Sequence, residues 1–408
     1  MAAPQAGSER RRPRVVSDLS RAHVAALVGV LREGPAARAE LAERLGLSAG
    51  AVTRLVGRLL DADFVHELDD VPRSATRGRP RRPLALRSDR RVILAAHIGA
   101  NRTSVGVVDL AGHVTHATEH FHRDLTPSAV LAATRSLLRR TVKQVDDSGT
   151  RVVGTGIGIG GWVDQGRVVE HPGLGWVDVD VQRRLAGAAV GPLSVESHVR
   201  GLALAEADFG AALGTDTLVE LHVGNVTDAA VLVGGRLLRG PLSAAGSVGH
   251  LPVRADGEGV VCPCGRHGCA QVELSEARLL ERARADGLSV TSVSDVDTLA
   301  ASGDPRASAL RDDRLAMIGM LSSHLVDVVG PDRLVLAGLH DLGERDLDIV
   351  RRAAIRRPDT AGPHPEIVAS DLGDHPLLLA AAAPPLLAWF DDPTAAERDL
   401  SQLAAPSA

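Results

Sequence analysis

The stretch from Gly246 to Ser275, GSVGHLPVRADGEGVVCPCGRHGCAQVELS, constrains this chain most, because it holds every cysteine in the sequence: Cys262, Cys264 and Cys269. His250 stands twelve positions before the first, so the pattern reads H-x11-C-x-C-x4-C. Zinc takes four soft or borderline donors at tetrahedral corners, and one imidazole with three thiolates is a common structural set. Gly259, Gly265 and Gly268 let a short loop turn back so that its sulfurs converge. The competing reading is three buried free thiols packed as small hydrophobes. It does not account for all three lying within eight positions. An odd cysteine count and the lack of a secretory signal argue against a disulfide. His250, Cys262, Cys264 and Cys269 are therefore the expected ligands of a Zn2+ ion. Four protein ligands close its shell, which makes it structural and not hydrolytic.

A chain of 408 residues exceeds one ordinary domain. Its 44% hydrophobic and 24% charged content is that of a globular protein with a large core. Aromatics make up 2% and tyrosine is absent, so that core is built from Ala, Val and Leu. No apolar run of about 18 residues is free of charge, which argues against a membrane span. The opening MAAPQAGSERRRPR has no apolar signal segment, and a cytoplasmic location is expected. Charge is unevenly spread. Residues 1–90 carry 17 arginines and no lysine against 11 acidic residues, a balance of +6, so the rest must carry −11 to give the net −5. A basic head on an acidic body suggests that only the head meets a polyanion.

The first 16 residues are polar, arginine-rich and expected to be disordered. An apolar i, i+3, i+4, i+7 pattern then runs from about Ser20 through Val24, Leu27, Val28 and Leu31. Gly34-Pro35 ends it, a second helix follows over Arg38–Leu45, and Gly46 breaks that one. Ser48 is the natural N-cap of a third helix from about Ala49 to Leu60. Helix, glycine-containing turn and capped helix form a helix-turn-helix. Val52, Leu55, Val56 and Leu59 make the third helix's buried stripe, leaving Ser48, Ala49, Gly50, Thr53, Arg54 and Arg58 to face DNA. Two short strands, Phe64–Leu68 and Pro83–Arg87, flank Pro72–Arg82, where five of eleven residues are arginine. Such a hairpin is a wing suited to phosphates or a narrow minor groove, with Arg77, Arg79 and Arg81 at its tip. The bland alternative is a small helical cap with a solvated basic loop.

From Val92 onward, the apolar run Val92–Ala96 continues as a strand into a glycine-containing turn, a second strand ends near Asp109, and a third near 113–118 precedes a helix from about Pro127 to Asp146. Another buried strand follows over Val152–Ile159. This order indicates a mixed α/β domain. A similar strand series recurs at Leu218–Val223, Ala229–Val233 and Arg236–Leu238. A long helix at about Arg314–Val329 then leads to the strand Leu334–Ala337. Ser275 is a candidate N-cap just after the cysteine loop, and Leu377–Phe390 reads as a C-terminal helix. The glycine run Gly156–Gly161 is a weak phosphate-cradle signal and a better strand-to-loop one. Trp162 and Trp176 suit either a ligand cleft or the core.

The cysteine stretch resembles the signature of the ROK family (repressors, open reading frames and sugar kinases), G-E-x-G-H followed by C-x-C-G-x-x-G-C-x-E. Here it stands as Gly246-Ser-Val-Gly-His250 and Cys262-Pro-Cys-Gly-Arg-His-Gly-Cys-Ala-Gln271. The winged segment, with Gly-Arg-Pro at 78–80, is similar to that of ROK repressors. The resemblance covers nearly the whole chain. It implies an α/β fold in which a winged helix-turn-helix (17–88) is joined to a two-lobed actin-like body of the sugar kinase and ribonuclease H type (91–395). The zinc loop at 250–269 lies within that body, and a flexible tail (396–408) ends the chain.

The kinase parts of the family pattern are altered. Where such kinases begin a phosphate loop D-x-G-G-T, this chain has His97-Ile-Gly-Ala-Asn101. Gly224-Asn-Val-Thr-Asp228 replaces G-T-G-x-G, and Ala337-Gly338 replaces a glycine pair. The V-E-N-D that carries the base reads Val195-Glu-Ser-His198. The two signature glutamates are Ser247 and Gln271. By resemblance, Ser197, His198, Ser247, His250 and Gln271 are the candidate effector-binding residues, for a sugar or sugar-derived ligand. The expected protein is a non-enzymatic, repressor-like transcriptional regulator. It would bind a double-stranded operator as a homodimer or homotetramer and need no membrane. The alternatives are an ATP-dependent sugar kinase with unusual residues, and a regulator without a small-molecule effector.

Overall fold

The computed structural model describes residues 18–68, 82–146, 149–255, 257–339, 342–354 and 364–393. The chain divides into two compact units, Met1–Arg90 with Leu387–Ala408, and Arg91–Leu386. The expected terminal tails and the arginine tip of the wing, with Arg77, Arg79 and Arg81, lie outside the described residues.

In the head, α1 (Asp18–Glu33), α2 (Arg38–Leu45) and α3 (Ala49–Asp61) are followed by β1 (Val65–Glu67) and β2 (Leu84–Leu86). Val24, Leu27, Val28 and Leu31 of α1 are buried, as the helical spacing requires. Gly46 takes the left-handed conformation that closes α2 (φ 62°). The Ser48 hydroxyl accepts the Ala51 N–H at 3.3 Å and caps α3. The strands pair antiparallel with Val65 opposite Leu86, and Ala36 bridges to Leu84. Arg38 contacts Glu67 at 2.6 Å and holds its carboxyl below the usual range. The far end of the chain completes this core. Trp389 stacks on Phe64 with centroids 5.7 Å apart, and the Arg32 guanidinium lies 3.9 Å over the Phe390 ring.

The body opens with β3 (Arg91–Ile98), β4 (Arg102–Asp109), β5 (Val114–Phe121), α4 (Pro127–Asp146) and β6 (Arg151–Ile159). A small meander follows, β7 (Trp162–Asp164), β8 (Arg167–His171) and β9 (Trp176–Asp180), then α5 (Val181–Leu185), β10 (Leu193–Ser197) and α6 (His198–Phe209). The second lobe starts with β11 (Thr217–Val223), β12 (Thr227–Val233) and β13 (Arg236–Leu237). After the cysteine loop come α7 (Ala270–Glu273), α8 (Glu276–Ala285), α9 (Val293–Ala301) and α10 (Pro305–Val329). The chain closes with β14 (Arg333–Ala337), α11 (Glu344–Ala354), β15 (Glu366–Ala369) and α12 (Pro376–Asp391).

The two large sheets run β10-β6-β3-β4-β5 and β13-β12-β11-β14-β15. Numbered within each lobe, both read 3-2-1-4-5, with an antiparallel meander on one side and parallel strands on the other. The lobes are therefore two copies of one topology, and β3 and β11 are equivalent central strands. Through Leu386, α12 belongs to the body. It packs backbone-close on β6 and α6. A Cβ at Gly156 would strike the Ala381 carbonyl, and one at Gly201 the Ala380 carbonyl. The glycine run in β6 thus serves close packing, with Ala380–Ala383 buried against it.

Two boundaries differ from the sequence reading. Helix α10 starts at Pro305, not near Arg314, because the Asp304 carboxylate caps the amides of Arg306 and Ala307. Strand β5 runs on to Phe121, with most of its residues exposed.

Glu220, in the middle of β11, is fully buried, and neither carboxylate oxygen has a hydrogen-bond partner among the described residues. Burial, then the nearby Glu206 charge, pushes its acid well above the carboxylate range. A folded-state pKa above the unfolded one means that folding takes up a proton. This stability is full below the unfolded value and is lost as pH rises toward the folded one. Glu220→Gln should therefore flatten the pH dependence of stability above about pH 5, by up to about 1.4 kcal/mol per pH unit. Thermal unfolding across that range measures it. An unchanged slope would show that Glu220 is ionised in the fold.

Candidate nucleic-acid interface and interlobe site

The sequence-nominated face of α3 is open. Val52, Leu55, Val56 and Leu59 are buried, while Ser48, Ala49, Gly50, Thr53, Arg54 and Arg58 are exposed on the other side. The exposed Thr53 hydroxyl donates back to the Ala49 carbonyl at 2.8 Å. Among the described residues neither Arg54 nor Arg58 has an ion-pair partner. An N-capped helix offering small residues first and cations later suits a major groove flanked by phosphates.

In the second lobe, His250, Cys262, Cys264 and Cys269 bring one ligand atom each to within 4.8 Å of one another. Cys262 Sγ lies 3.5 Å from His250 Nδ1, and Cys264 Sγ lies 3.6 Å from Cys269 Sγ. Zinc bonds of about 2.0–2.3 Å make tetrahedral edges of roughly 3.4–3.8 Å, so the donor set and spacing fit that ion. A tight turn builds it: Gly265 N–H donates to the Cys262 carbonyl at 2.8 Å, and Cys262 N–H to that of Arg266 at 2.7 Å. The Arg266 backbone N–H draws Cys264 down to about 6, and burial pushes Cys269 up to about 12. The loop is tied to its lobe by Glu273, which accepts the Val260 N–H at 2.7 Å.

Between the lobes, four histidines from four elements come together. His97 stands near the end of β3, His171 ends β8, His198 begins α6, and His222 lies near the end of β11. All four are buried. His97 Nε2 lies 3.3 Å from His198 Nδ1, and the His198 and His222 rings lie 4.7 Å apart at their centroids. His171 Nδ1 accepts the Leu174 N–H at 3.2 Å, which leaves the proton on Nε2. Burial pushes His97 down to about 3, His171 and His222 to about 4, and His198 well below its ordinary value. The imidazoles are thus neutral. Glycines leave them room. A Cβ at Gly160 would come within 3.2 Å of both His171 Nε2 and His198 Cε1, and the His222 ring lies against Gly224 and Gly338. Asp228 is the direct cross-strand partner of His222, and burial pushes its acid up to about 7.

The five sequence-nominated effector residues do not share one environment. His198 joins the histidine cluster, with buried Ser197 just before it. His250 stands with the cysteines, and Ser247 is exposed. Gln271 spends its amide on the β11–β12 loop, accepting the Thr227 N–H at 3.0 Å and donating to the Asn225 carbonyl at 3.1 Å. By resemblance the sequence placed His171–Trp176 in the family's interlobe loop but gave His171 no role, and sequence reasoning missed His222. It also missed Arg200, which pairs with Glu196 at 2.6 Å and donates to the carbonyls of Val163 and Ser243. One signal was available: β3 and β11 end alike, in His97-Ile98-Gly99 and His222-Val223-Gly224.

A helix-turn-helix head on a two-lobed α/β body defines a DNA-binding transcriptional regulator, and no described helix is long and apolar enough to cross a membrane. The ROK family model matches residues 93–383 and the MarR family model residues 17–74. The chain belongs to the ROK family. It is 31% identical over 320 residues to Transcriptional regulator Rv0485 of Mycobacterium tuberculosis, covering 75% of this chain and 71% of that one. It is 24% identical over 255 residues to the Xylose repressor of Bacillus subtilis, covering 62% and 65%. The crystal structure of a ROK family transcriptional regulator, a homolog of the E. coli MLC protein, matches with a TM-score of 0.76 at 22% identity, covering 91% of this chain and 97% of that one. That likeness concerns the fold.

Proposed function

We propose that this regulator represses transcription from a paired-half-site operator as a homodimer or homotetramer, and that its interlobe cleft is an effector site without kinase activity. The observation that carries the DNA reading is the face of α3, where Arg54 and Arg58 stand exposed opposite a fully buried stripe. Helix-turn-helix heads read half-sites about one helical turn apart, which requires more than one copy of the chain. A sugar-derived effector fits the family's range and the name of the B. subtilis relative. Such a ligand acts by binding one arrangement of the lobes better than another. His250, Cys262, Cys264 and Cys269 hold a structural Zn2+ in this proposal, on the spacing and donor chemistry described above.

Against phosphoryl transfer, the cleft presents neutral imidazoles where metal-holding carboxylates are needed. The His222 ring also lies over Gly224 and Gly338, close enough that a Cβ on Gly338 would approach its Cε1 to 2.7 Å. One observation favours a cleft used for assembly and no small molecule: the Gln271 amide is already committed to backbone partners.

The test is selection of bound fragments from the source genome with purified zinc-loaded protein at a stated salt concentration. Enrichment of a short palindrome, with no phosphorylated hexose formed from ATP, is the expected result. Retention that is weak, salt-sensitive and unselective would overturn the operator reading.

A further inference from the structure

The cysteine cluster is unevenly shielded. Cys262 and Cys269 are 2% and 1% exposed, whereas Cys264 stands open to solvent. Its sulfur faces that of Cys269 at 3.6 Å, while the Cys262 sulfur lies against His250 Nδ1 at 3.5 Å. The loop between Cys264 and Cys269 is exposed over 265–267 and turns at Gly265 and Gly268, both left-handed (φ 86° and 67°). Beyond its chain neighbours, no described atom stands within 4 Å of where a Gly265 Cβ would sit, so the loop has room to contract. Cys262 is held more firmly: its N–H donates to the Arg266 carbonyl and its carbonyl accepts the Gly265 N–H. A solvent-open thiol with a second thiol in reach is the arrangement of a redox-active pair.

We propose that Cys264 and Cys269 form a hydroperoxide-sensitive modification site, at which oxidation closes a Cys264–Cys269 disulfide and empties the metal site. The Cys264 sulfur attacks one peroxide oxygen, the O–O bond breaks, and the displaced hydroxide takes a proton and leaves as water. The Cys269 sulfur then attacks the oxidised Cys264 sulfur, the S–S bond forms, and the hydroxide on Cys264 leaves as a second water. Two electrons pass from the two sulfurs to the peroxide. A disulfide of about 2.05 Å brings the sulfurs about 1.5 Å closer than their present separation. Only His250 and Cys262 are then left for a zinc ion, too few to close its shell. The loss of zinc rests on the structural-ion reading above; the disulfide does not. Cys269 is also the N-cap of α7, and Gln271 in that helix clamps the β11–β12 loop. Oxidation at the surface thereby reaches the end of a central strand.

The test exposes zinc-loaded full-length protein to graded hydrogen peroxide, following zinc with a chromogenic chelator and the thiols by differential alkylation and peptide mass spectrometry. The expected result is loss of the bound zinc together with two of the three thiols, with Cys264 and Cys269 joined within one chain and Cys262 free. Proteolysis within 254–268 should appear with the disulfide, and dithiothreitol with added zinc should reverse both. Cys262→Ser should still form the same disulfide, and Cys264→Ser should leave Cys269 reduced. If a variant fails to fold, the wild-type peptide map still decides. A disulfide that includes Cys262, linkage between chains only, sulfinic or sulfonic acid at Cys264 without a disulfide, or all thiols intact at millimolar peroxide would each overturn the site. The same disulfide in a protein that never held zinc would keep the site and overturn the structural ion.

Discussion

Replacing Cys262 by serine should abolish the Zn2+ binding proposed for the cysteine cluster and loosen the second lobe from residue 250 onward, leaving the DNA head intact. The loss is large because the loop has little else to hold it. Cys262 and Cys269 are buried, but between them the chain is mostly exposed and turns on backbone bonds such as Gly265 to Cys262. Structural zinc contributes on the order of 10 kcal/mol to folding in small zinc peptides. Here part of the loop is also pinned by Glu273 and by the Val253 N–H on the Gly268 carbonyl, so a loss of about 4 kcal/mol is the expected scale. The damage should spread along one route. Gln271, just after Cys269, clamps the β11–β12 loop, and Arg314 of α10 donates to the Leu274 carbonyl. Metal analysis, calorimetry and limited proteolysis check this together. Cleavage should appear first within 254–268 while operator affinity stays near wild type. A variant that lacks zinc and keeps its full Tm would show that the four residues pack without needing an ion.

The second large effect concerns α3. Arg54→Ala should lower affinity for the selected operator roughly 10- to 100-fold and relax discrimination at one base position, as expected when a side chain that reads a base edge is lost. Arg58→Ala, one turn later, should weaken binding evenly across sequences and reduce the salt slope by about 1, the mark of a phosphate contact. Both side chains are exposed, so neither change should move Tm by more than about 0.5 kcal/mol of stability. Operator titrations at several salt concentrations separate the two roles. Equal effects on specific and unrelated DNA for Arg54→Ala would place that residue on the backbone too.

Much of this architecture was legible before the fold was known, where local chemistry decides structure. Gly46 and Ser48 bracket the turn before α3, and the buried spacing of Val52, Leu55, Val56 and Leu59 set its orientation. The cysteine spacing pointed to a cluster because the residues are close in sequence and rare in composition. What was missed depends on distant parts meeting. His171 and His222 are single polar residues at or near strand ends; His171 meets His198 over Gly160 within the first lobe, and only the pairing of the two lobes brings His222 there. Gln271 matched a sugar-binding position in the family pattern, yet its amide is satisfied by a loop 44 residues earlier, which no spacing rule shows. The tryptophans divided. Trp176 is buried and donates to the Leu125 carbonyl, whereas Trp162 is partly exposed and reaches the Leu242 carbonyl. The early start of α10 was hidden by the polar run after Pro305, whose signal lay in Asp304-Pro305.

The stacking of Trp389 on Phe64 also bears on biosynthesis. The two rings are 325 positions apart in the chain, so the head emerges from the ribosome long before the residues that finish its core. At about 5–20 residues per second, that interval is roughly 15 to 65 seconds. Throughout it, a nascent head presents Phe64 uncovered, and a message cut short after the body yields a protein whose helix-turn-helix rests on an unfinished foundation. Only a chain translated to its last helix carries a completed DNA head.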